Sequence, residues 1–150
     1  MVILSILVFL TLVVLIIIRF SGEKIEPVPI QSPTPTVVPT IILPRGETIE
    51  ISQIPVRNPY ISPAQINTEG DSLMTRDPGY DLVYLRETNQ FIITIMLSPF
   101  ETYRQLAERA LLERLNISEQ EACSLDVNIG TPQSVNPNEA GRNYKLSFCE

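Results

Sequence analysis

The stretch from Phe91 to Leu115, FIITIMLSPFETYRQLAERALLERL, decides the fold of this chain. Its first seven residues are apolar apart from Thr94, a pattern typical of a buried central strand. A helix start follows at once, with Ser98 as the predicted N-cap, Pro99 at the first helical position and Glu101 completing a capping box. The sequence therefore predicts a strand that leads directly into a helix.

The predicted helix is amphipathic. Its apolar residues recur at helical spacing, which favours packing on a sheet; they are Phe100, Tyr103, Leu106, Ala107, Ala110 and Leu111. The opposite face is polar and consists of Glu101, Gln105, Glu108, Arg109 and Glu113. We expect Arg104 with Glu108, and Arg109 with Glu113, to form minor surface pairs.

Alternating segments flank this unit on both sides. Residues 80–86 predict a strand, joined to the central strand by a hairpin loop at 87–90. After the helix, Ser118 and Glu121 predict a second capping box for a short helix. Residues 125–129 then predict a third strand and residues 144–148 a fourth. This order, ββα(α)ββ, predicts an α+β head at residues 75–150, with a small four-stranded antiparallel sheet and one packed helix.

The composition narrows the range of functions. Eleven Lys and Arg against 17 Asp and Glu give a formal net charge of −6, so we expect no nucleic-acid partner. The chain has no histidine, which removes the commonest general base and metal ligand. Its two cysteines cannot complete a four-ligand zinc site without histidine. We therefore expect no cofactor, no metal and no catalytic residues, and the chain is not expected to be an enzyme.

Residues 1–20 predict a transmembrane anchor. Residues 2–18 hold no charge, and Ser5 and Thr11 are their only polar members. As a helix they would rise about 25 Å, near the lower limit for a hydrocarbon core of about 30 Å. Two alternatives are a soluble core helix and a cleaved signal peptide, for which residues 19–23 offer no small-x-small site. We expect the anchor to be retained as a single-pass span.

Residues 21–74 predict a proline-rich tether, because 9 of the 13 prolines lie between Pro27 and Pro63. Such a stretch favours extended polyproline II, which suits a spacer. Alternation within residues 47–54 indicates one short strand, and the sequence leaves open whether residues 47–74 fold onto the head.

Two features of the sequence point to opposite sides of the membrane for the head. Arg19 and Lys24 just after the anchor would place the head in the cytoplasm under the positive-inside rule. A long tether and a pair of cysteines suit an exported domain instead. We expect the protein in the cytoplasmic membrane, with the C-terminal domain outside the cytoplasm.

Cys123 and Cys149 are predicted to form a disulfide. Cys123 ends the short helix before strand three, and Cys149 ends strand four. If these strands pair antiparallel, both cysteines lie at the same end of the sheet, at the Cα separation that a disulfide needs.

The long connection from Gly130 to Asn143 is the candidate binding loop. Long loops in small domains are often functional, and Gln133, Val135 and Asn138 are the residues that we expect to bind a partner. Gln133-Ser134-Val135 also resembles the Q-x-V-x-G wedge of cystatin-type protease inhibitors, although Pro137 stands where that pattern has glycine. The loop therefore supports two functions, an interaction module and a protease inhibitor.

Two other motifs favour structure over function. Asn116-Ile117-Ser118 matches a glycosylation sequon, but a helix end followed by a capping box explains the same residues. Four acidic residues close in sequence could attract a hard cation, but their spacing matches no calcium loop and acidic turn residues are ordinary; they are Glu69, Asp71, Asp77 and Asp81.

From Gln90 to Cys149 the chain resembles a family of small proteins. The segment QFIITIMLSPFETYRQLAERALLERLNISEQEACSLDVNIGTP is followed by Asn-Pro, Ala-Gly, Asn-Tyr and LSFC. It resembles uncharacterised, single-pass membrane-anchored proteins of reduced-genome bacteria, which share an N-terminal anchor, a proline-rich stretch and this C-terminal domain. The resemblance implies an envelope location.

These observations predict a membrane-anchored extracytoplasmic interaction module that binds a protein or a cell-envelope polymer. The alternative is a protease inhibitor that acts through residues 130–143, and an enzyme of unknown class comes third. The sequence does not identify the partner, the process or the oligomeric state.

Overall fold

The computed structural model describes residues 41–149. The predicted anchor at 1–20 and the first part of the tether lie outside these residues. None of the helices within 41–149 has the length and apolar character that crossing a membrane requires. The elements are β1 Thr48–Ile51, β2 Ile54–Arg57, β3 Gln65–Ile66, β4 Ser72–Asp77, β5 Tyr80–Leu85, β6 Gln90–Ile95, α1 Phe100–Leu115, α2 Glu119–Ala122, β7 Asp126–Gly130 and a 3-10 turn Ser147–Cys149.

The fold is α+β, with a mostly antiparallel sheet and one main helix, as the sequence predicts. The described residues form a five-stranded sheet in the order β3-β4-β5-β6-β7 and a separate hairpin of β1 and β2. The prediction of four antiparallel strands is wrong in number and in direction, because β6 and β7 pair in parallel. The two helices carry the chain from the end of β6 back to the start of β7, and such a crossover makes adjacent strands parallel.

The predicted fourth strand at 144–148 is also wrong. Ile129 and Tyr144 form a single antiparallel bridge, after which the chain leaves the sheet and turns at Ser147–Cys149. The observed disulfide joins Cys149 in this turn to Cys123 at the end of α2, not two paired strands.

A buried ion pair on α1 holds residues 145–147, where the chain has left the sheet. Arg104 is 7% exposed and Glu108 2% exposed, and Arg104 Nε lies 3.1 Å from Glu108 Oε1. Arg104 Nη2 donates to the carbonyl of Lys145 at 2.6 Å. The Ser147 N–H donates to Glu108 Oε1 at 2.8 Å and the Ser147 hydroxyl to Glu108 Oε2 at 2.5 Å. The carbonyl of Lys145 and the N–H of Ser147 are thus paired with side chains of α1, and the prediction of Arg104 with Glu108 as a minor surface pair is wrong.

The core lies between one face of the sheet and a layer made of α1, the β1–β2 hairpin and α2. The largest fully buried side chains are Phe91, Ile51, Leu82, Ile93, Ile95, Leu111, Leu115, Ile129, Val56 and Val127. Ile51 and Val56 belong to the hairpin, and the buried amide of Asn58 donates to the carbonyls of Pro44 at 3.1 Å and Gly46 at 2.9 Å. The structure therefore places β1 to β4 with the head, whereas the sequence assigned residues up to 74 to the tether.

The structure confirms one of the two capping boxes that the sequence predicts. Ser118 and Glu121 form the predicted capping box at the start of α2. Before α1, Pro99 is in the extended conformation and is itself the N-cap, with no side chain bonded to the first turn. The box predicted for Ser98 is absent, because the helix starts one residue later and Glu101 is one position too early to close it. Asn116 ends α1 in the left-handed conformation, which is the structural role expected for it.

Candidate functional site

The candidate binding loop lies beside the start of α1, because β6 and β7 are parallel. The two strands end at the same edge of the sheet, at Ile95 and Gly130. The segment 96–99 that leads into α1 and the loop at 131–143 therefore emerge side by side. The hydroxyl of Thr131 donates to the carbonyl of Ile95 at 2.9 Å and fixes this approach. Loops at the carboxyl ends of parallel strands are a frequent location for binding sites.

Asn136 fastens the loop to the body of the domain. Its side chain is 6% exposed. Nδ2 donates to the carbonyl of Leu97 at 3.3 Å and to Thr131 Oγ1 at 2.9 Å. The backbone adds a turn at each side, since the N–H of Asn136 donates to the carbonyl of Pro132 and the N–H of Ala140 donates to the carbonyl of Asn136. The loop is thus a fixed surface rather than an open connection.

The far end of the loop is fastened by Tyr144. Its hydroxyl donates to the carboxylate of Glu139 in a short hydrogen bond. Its ring packs on Phe100, with 4.9 Å between centroids, and the guanidinium carbon of Arg104 lies 5.4 Å from the ring centroid. Arg142 lies 3.8 Å from Glu139. Its hydrogen bond to the Tyr144 hydroxyl, followed by electrostatic interaction with Tyr144 and then with Glu139, raises the pKa of the guanidinium.

A cleft of about 210 Å³ lies between the loop and the start of α1, and we call it the junction cleft. Its lining residues are Ser98, Pro99, Phe100, Val135, Asn136, Pro137, Asn138 and Glu139. The two large apolar residues that precede Ser98 in the chain are exposed, Met96 at 39% and Leu97 at 40%. The cleft thus combines apolar and proline side chains with a small set of polar groups, as binding sites commonly do.

The structure brings together two of the three predicted binding residues. Val135 is half-buried and Asn138 is exposed, and both line the junction cleft. Gln133 is exposed on the turn closed by the hydrogen bond from the N–H of Val135 to the carbonyl of Pro132, and it does not line the cleft. Asn136 was missed by the sequence reasoning, as was the exposure of Met96 and Leu97. A strand-helix-strand order was the signal that could have placed these residues beside the loop.

The junction cleft offers both donors and acceptors for a polar ligand group. Because no side chain caps α1, the N–H groups of its first turn lack a side-chain partner. Acceptors are the side-chain oxygen of Asn136 and the carboxylate of Glu139, which is the single carboxylate among the residues that line the cleft. Acid-base chemistry by paired carboxylates therefore has no basis in this cleft.

The disulfide is confirmed. Cys123 and Cys149 are bonded, with 5.5 Å between their Cα atoms. The bond links the end of α2 to the 3-10 turn at the C-terminus, rather than two paired strands. A second cleft of about 210 Å³ lies beside it, and its lining residues are Ala122, Cys123, Leu125, Val127, Lys145, Leu146 and Cys149.

The acidic residues in and beside the β3–β4 and β4–β5 turns have structural roles. Asp71 accepts the N–H of Arg86 at 2.9 Å and the amide of Asn67 at 2.9 Å. Asp77 accepts the N–H of Gly79 at 2.8 Å, and Asp81 lies 3.8 Å from Arg76. Within residues 41–149 there is no group of three or more Cys, Asp or Glu that could hold a metal ion. These contacts support the interpretation of the cluster as turn residues.

The chain was compared with known proteins in three ways. Neither a scan against protein-family models nor searches of curated proteins and of solved structures found a match.

Proposed function

We propose that this chain is a membrane-anchored extracytoplasmic interaction module, and that it binds a protein or a cell-envelope polymer through the junction cleft. The observation that carries the proposal is the loop itself. Asn136 and Tyr144 hold it in one conformation, so a surface of exposed apolar and polar groups is already formed before a partner arrives. A preformed surface loses less conformational entropy on binding than a mobile one.

The location outside the cytoplasm is supported by three features. A disulfide is typical of oxidising compartments, and the bond between Cys123 and Cys149 is present. Residues 2–18 have the composition of a membrane anchor, and the prolines that follow have that of a spacer. Residues 90–149 resemble anchored envelope proteins of reduced-genome bacteria.

The proposed sidedness predicts that the head is accessible at the cell surface. Protease added to intact cells should remove the head and leave a short membrane-bound fragment. Protection of the head until the cells are lysed would contradict this location and favour the cytoplasmic side.

The proposed binding surface is tested by crosslinking in intact cells. A photoreactive residue at position 138 should give a discrete crosslinked product, whereas the same residue at the exposed position 120 on α2 should not. Replacing Gln133, Val135 and Asn138 together by alanine should abolish partner capture and leave the melting temperature nearly unchanged.

The matched control replaces three exposed residues near α2 by alanine, namely Glu119, Gln120 and Ser124. It should leave capture intact. Equal capture by the two triple variants would contradict a binding role for the loop, and unfolding of the loop variant would show that the loop is a structural element.

One observation favours the protease inhibitor as a second candidate. Gln133 and Ser134 are both exposed at the tip of the loop, where a wedge would have to enter an active-site cleft. The inhibitor function predicts stoichiometric inhibition of a papain-type cysteine protease, lost on Gln133→Ala. A protease that stays fully active at a large molar excess of the protein would exclude it.

A further inference from the structure

We infer that the junction cleft recognises the backbone amide group of an extended, apolar peptide segment. The inference rests on the proposed function and adds the chemistry of the ligand. It follows from one unpartnered acceptor, one uncapped helix end and the side chains around them.

The unpartnered acceptor is the side-chain oxygen of Asn136. The hydroxyl of Thr131 uses its hydrogen on the carbonyl of Ile95, so it can only accept from Asn136. The carbonyl of Leu97 likewise needs a donor. Both hydrogens of Nδ2 are therefore used, and the orientation of the amide is fixed with Oδ1 left over. Every described side-chain N or O atom that is sealed from solvent has a hydrogen-bond partner. Oδ1 of Asn136 has no partner, so this atom reaches the solvent of the cleft that Asn136 lines, although the residue as a whole is 94% buried.

The donors are the first N–H groups of α1. The helix has 16 residues and no side-chain cap, and Pro99 and Phe100 at its start line the cleft. A peptide group has one N–H to donate and one C=O to accept. The Asn136 oxygen can accept from the peptide N–H, and an N–H group at the start of α1 can donate to the peptide C=O.

The charge in the cleft selects a neutral group over an anion. A helix N-terminus attracts anions, but the carboxylate of Glu139 lines the same cleft and repels them, while Arg142, 3.8 Å from Glu139, does not line the cleft. A free carboxylate or a phosphate would meet that charge, whereas an amide carries none.

The apolar side chains select a peptide over a sugar polymer. Pro99, Val135 and Pro137 surround the polar groups, and a sugar would bring several hydroxyls that need hydrogen bonds of their own. A peptide segment with small apolar side chains needs only the two bonds described. The volume of about 210 Å³ admits one or two such residues.

The experiment uses the isotopically labelled full-length chain in detergent micelles and two matched probes. N-isopropylacetamide carries one amide and a valine-like isopropyl group, and isopropyl acetate replaces its N–H by oxygen. Nuclear magnetic resonance titrations follow the side-chain amide of Asn136 and the backbone N–H groups of Phe100 and Glu101. The amide should shift these signals saturably at millimolar concentration, and the ester should bind about five- to tenfold more weakly.

Val135→Asp should remove amide binding by placing a charge in the cleft. Ser134→Asp makes the same change of charge on the adjacent residue, which does not line the cleft, and should retain binding. Equal binding of the amide and the ester would overturn the inference, as would shifts spread over the whole domain. Sodium acetate is titrated as an anionic control, and stronger binding of acetate than of the amide would also overturn it. If these results appear while the crosslink at position 138 still forms, the ligand chemistry is wrong and the proposed function stands. If the amide binds and no crosslink forms, the proposed function fails instead.

Discussion

Strand β5 and the C-terminal segment at 144–149 have the same alternating pattern, but only β5 is a strand. β5 pairs with both of its neighbours and buries Leu82 and Tyr84. The C-terminal segment alternates just as regularly at Tyr144, Leu146 and Phe148, and it pairs with the sheet at one position. Alternation therefore shows which side chains can be buried together, and it does not show where the backbone bonds go.

The two regions differ in what holds their backbone. Short turns join β5 to β4 and β6, so its hydrogen-bond partners are close in sequence. The C-terminal segment is held by contacts far along the chain. These are the ion pair of Arg104 and Glu108, and the disulfide from Cys149 to Cys123. Removing each contact in turn tests whether it holds the segment away from the sheet.

The largest effect is expected from Glu108→Ala. The variant removes the carboxylate that lies 3.1 Å from the buried guanidinium of Arg104, whose 3.5 Å contact with Glu101 remains, and it leaves Ser147 without its acceptor. Breaking a buried pair from one side costs about 3–5 kcal/mol, because the remaining charge is poorly solvated. Urea unfolding should show this loss, and amide hydrogen exchange should rise at 144–149 before it rises in β5.

Two control variants define the cause of that loss. Glu113→Ala removes an exposed carboxylate from the same helix and should change stability by less than about 0.5 kcal/mol. The double variant Arg104→Met, Glu108→Leu removes both charges and should recover much of the loss. Equal stability of the Glu108 and Glu113 variants would show that the ion pair does not fasten the segment.

The second-largest effect is expected from removal of the disulfide. Replacing Cys123 and Cys149 by serine opens a loop with a sequence separation of 26. The chain-entropy model gives about 3–4 kcal/mol for a loop of this length, a large part of the stability of a small domain. Non-reduced protein should also show a mass deficit of about two daltons from the bond. Two freely alkylated thiols in exported protein would contradict the bond and weaken the case for a head outside the cytoplasm.

The sequence predicted the elements that depend on local contacts. The β5–β6 hairpin, α1 and the α2 capping box all follow from residues within a few positions of each other. The disulfide was predicted correctly from an incorrect strand pairing, because the two cysteines lie at one end of the domain in either arrangement. The direction of β7 depends on the crossover of the two helices. The position of residues 144–149 depends on Arg104 and Glu108, whose charges favour a solvent-exposed position when only the sequence is considered. The candidate loop was located, but Asn136 was not, since a buried asparagine in a polar loop has no periodic signal.

A smaller effect is expected from Tyr60→Phe, which changes a residue packed against β5. Its ring packs edge-on against Tyr84, with 6.0 Å between centroids, and its hydroxyl donates to the carbonyl of Gly70 at 2.8 Å. Burial, with a smaller contribution from Tyr84, raises the pKa of Tyr60 to about 12 from its usual 10.0. The folded state thus favours the neutral phenol. This stabilisation is complete below pH 10 and is lost as the pH rises through 12.

Tyr60→Phe should therefore lose about 1 kcal/mol at neutral pH, because it lacks the hydrogen bond to Gly70. Between pH 10 and 12 its stability should fall less steeply than that of the natural chain. Some alkaline dependence should remain, since burial also raises the pKa of Tyr84. Identical pH profiles for the two proteins would show that Tyr60 ionises equally easily in the folded and unfolded states.

The smallest effect is expected from Ser118→Ala, which tests whether α2 belongs to the C-terminal attachment. Ser118 Oγ accepts the N–H of Glu121 at 3.3 Å, and the N–H of Ser118 donates to Glu121 Oε2 at 2.8 Å. Loss of an N-cap costs about 1 kcal/mol, and less is expected here because α2 has four residues.

The backbone bond from Ser118 lowers the pKa of Glu121 below its usual 4.5, so the cap stabilises the fold above pH 4.5 and is lost as the pH falls through the lowered pKa. The variant keeps the backbone N–H and loses only the hydroxyl bond to Glu121, so this step in an acid titration should become smaller without disappearing. A cap acts on the folded helix and a disulfide largely on the unfolded chain, so Ser118→Ala and the double serine variant should be additive within about 0.5 kcal/mol. A larger coupling would show that α2, the disulfide and residues 144–149 unfold as one unit, separately from β5.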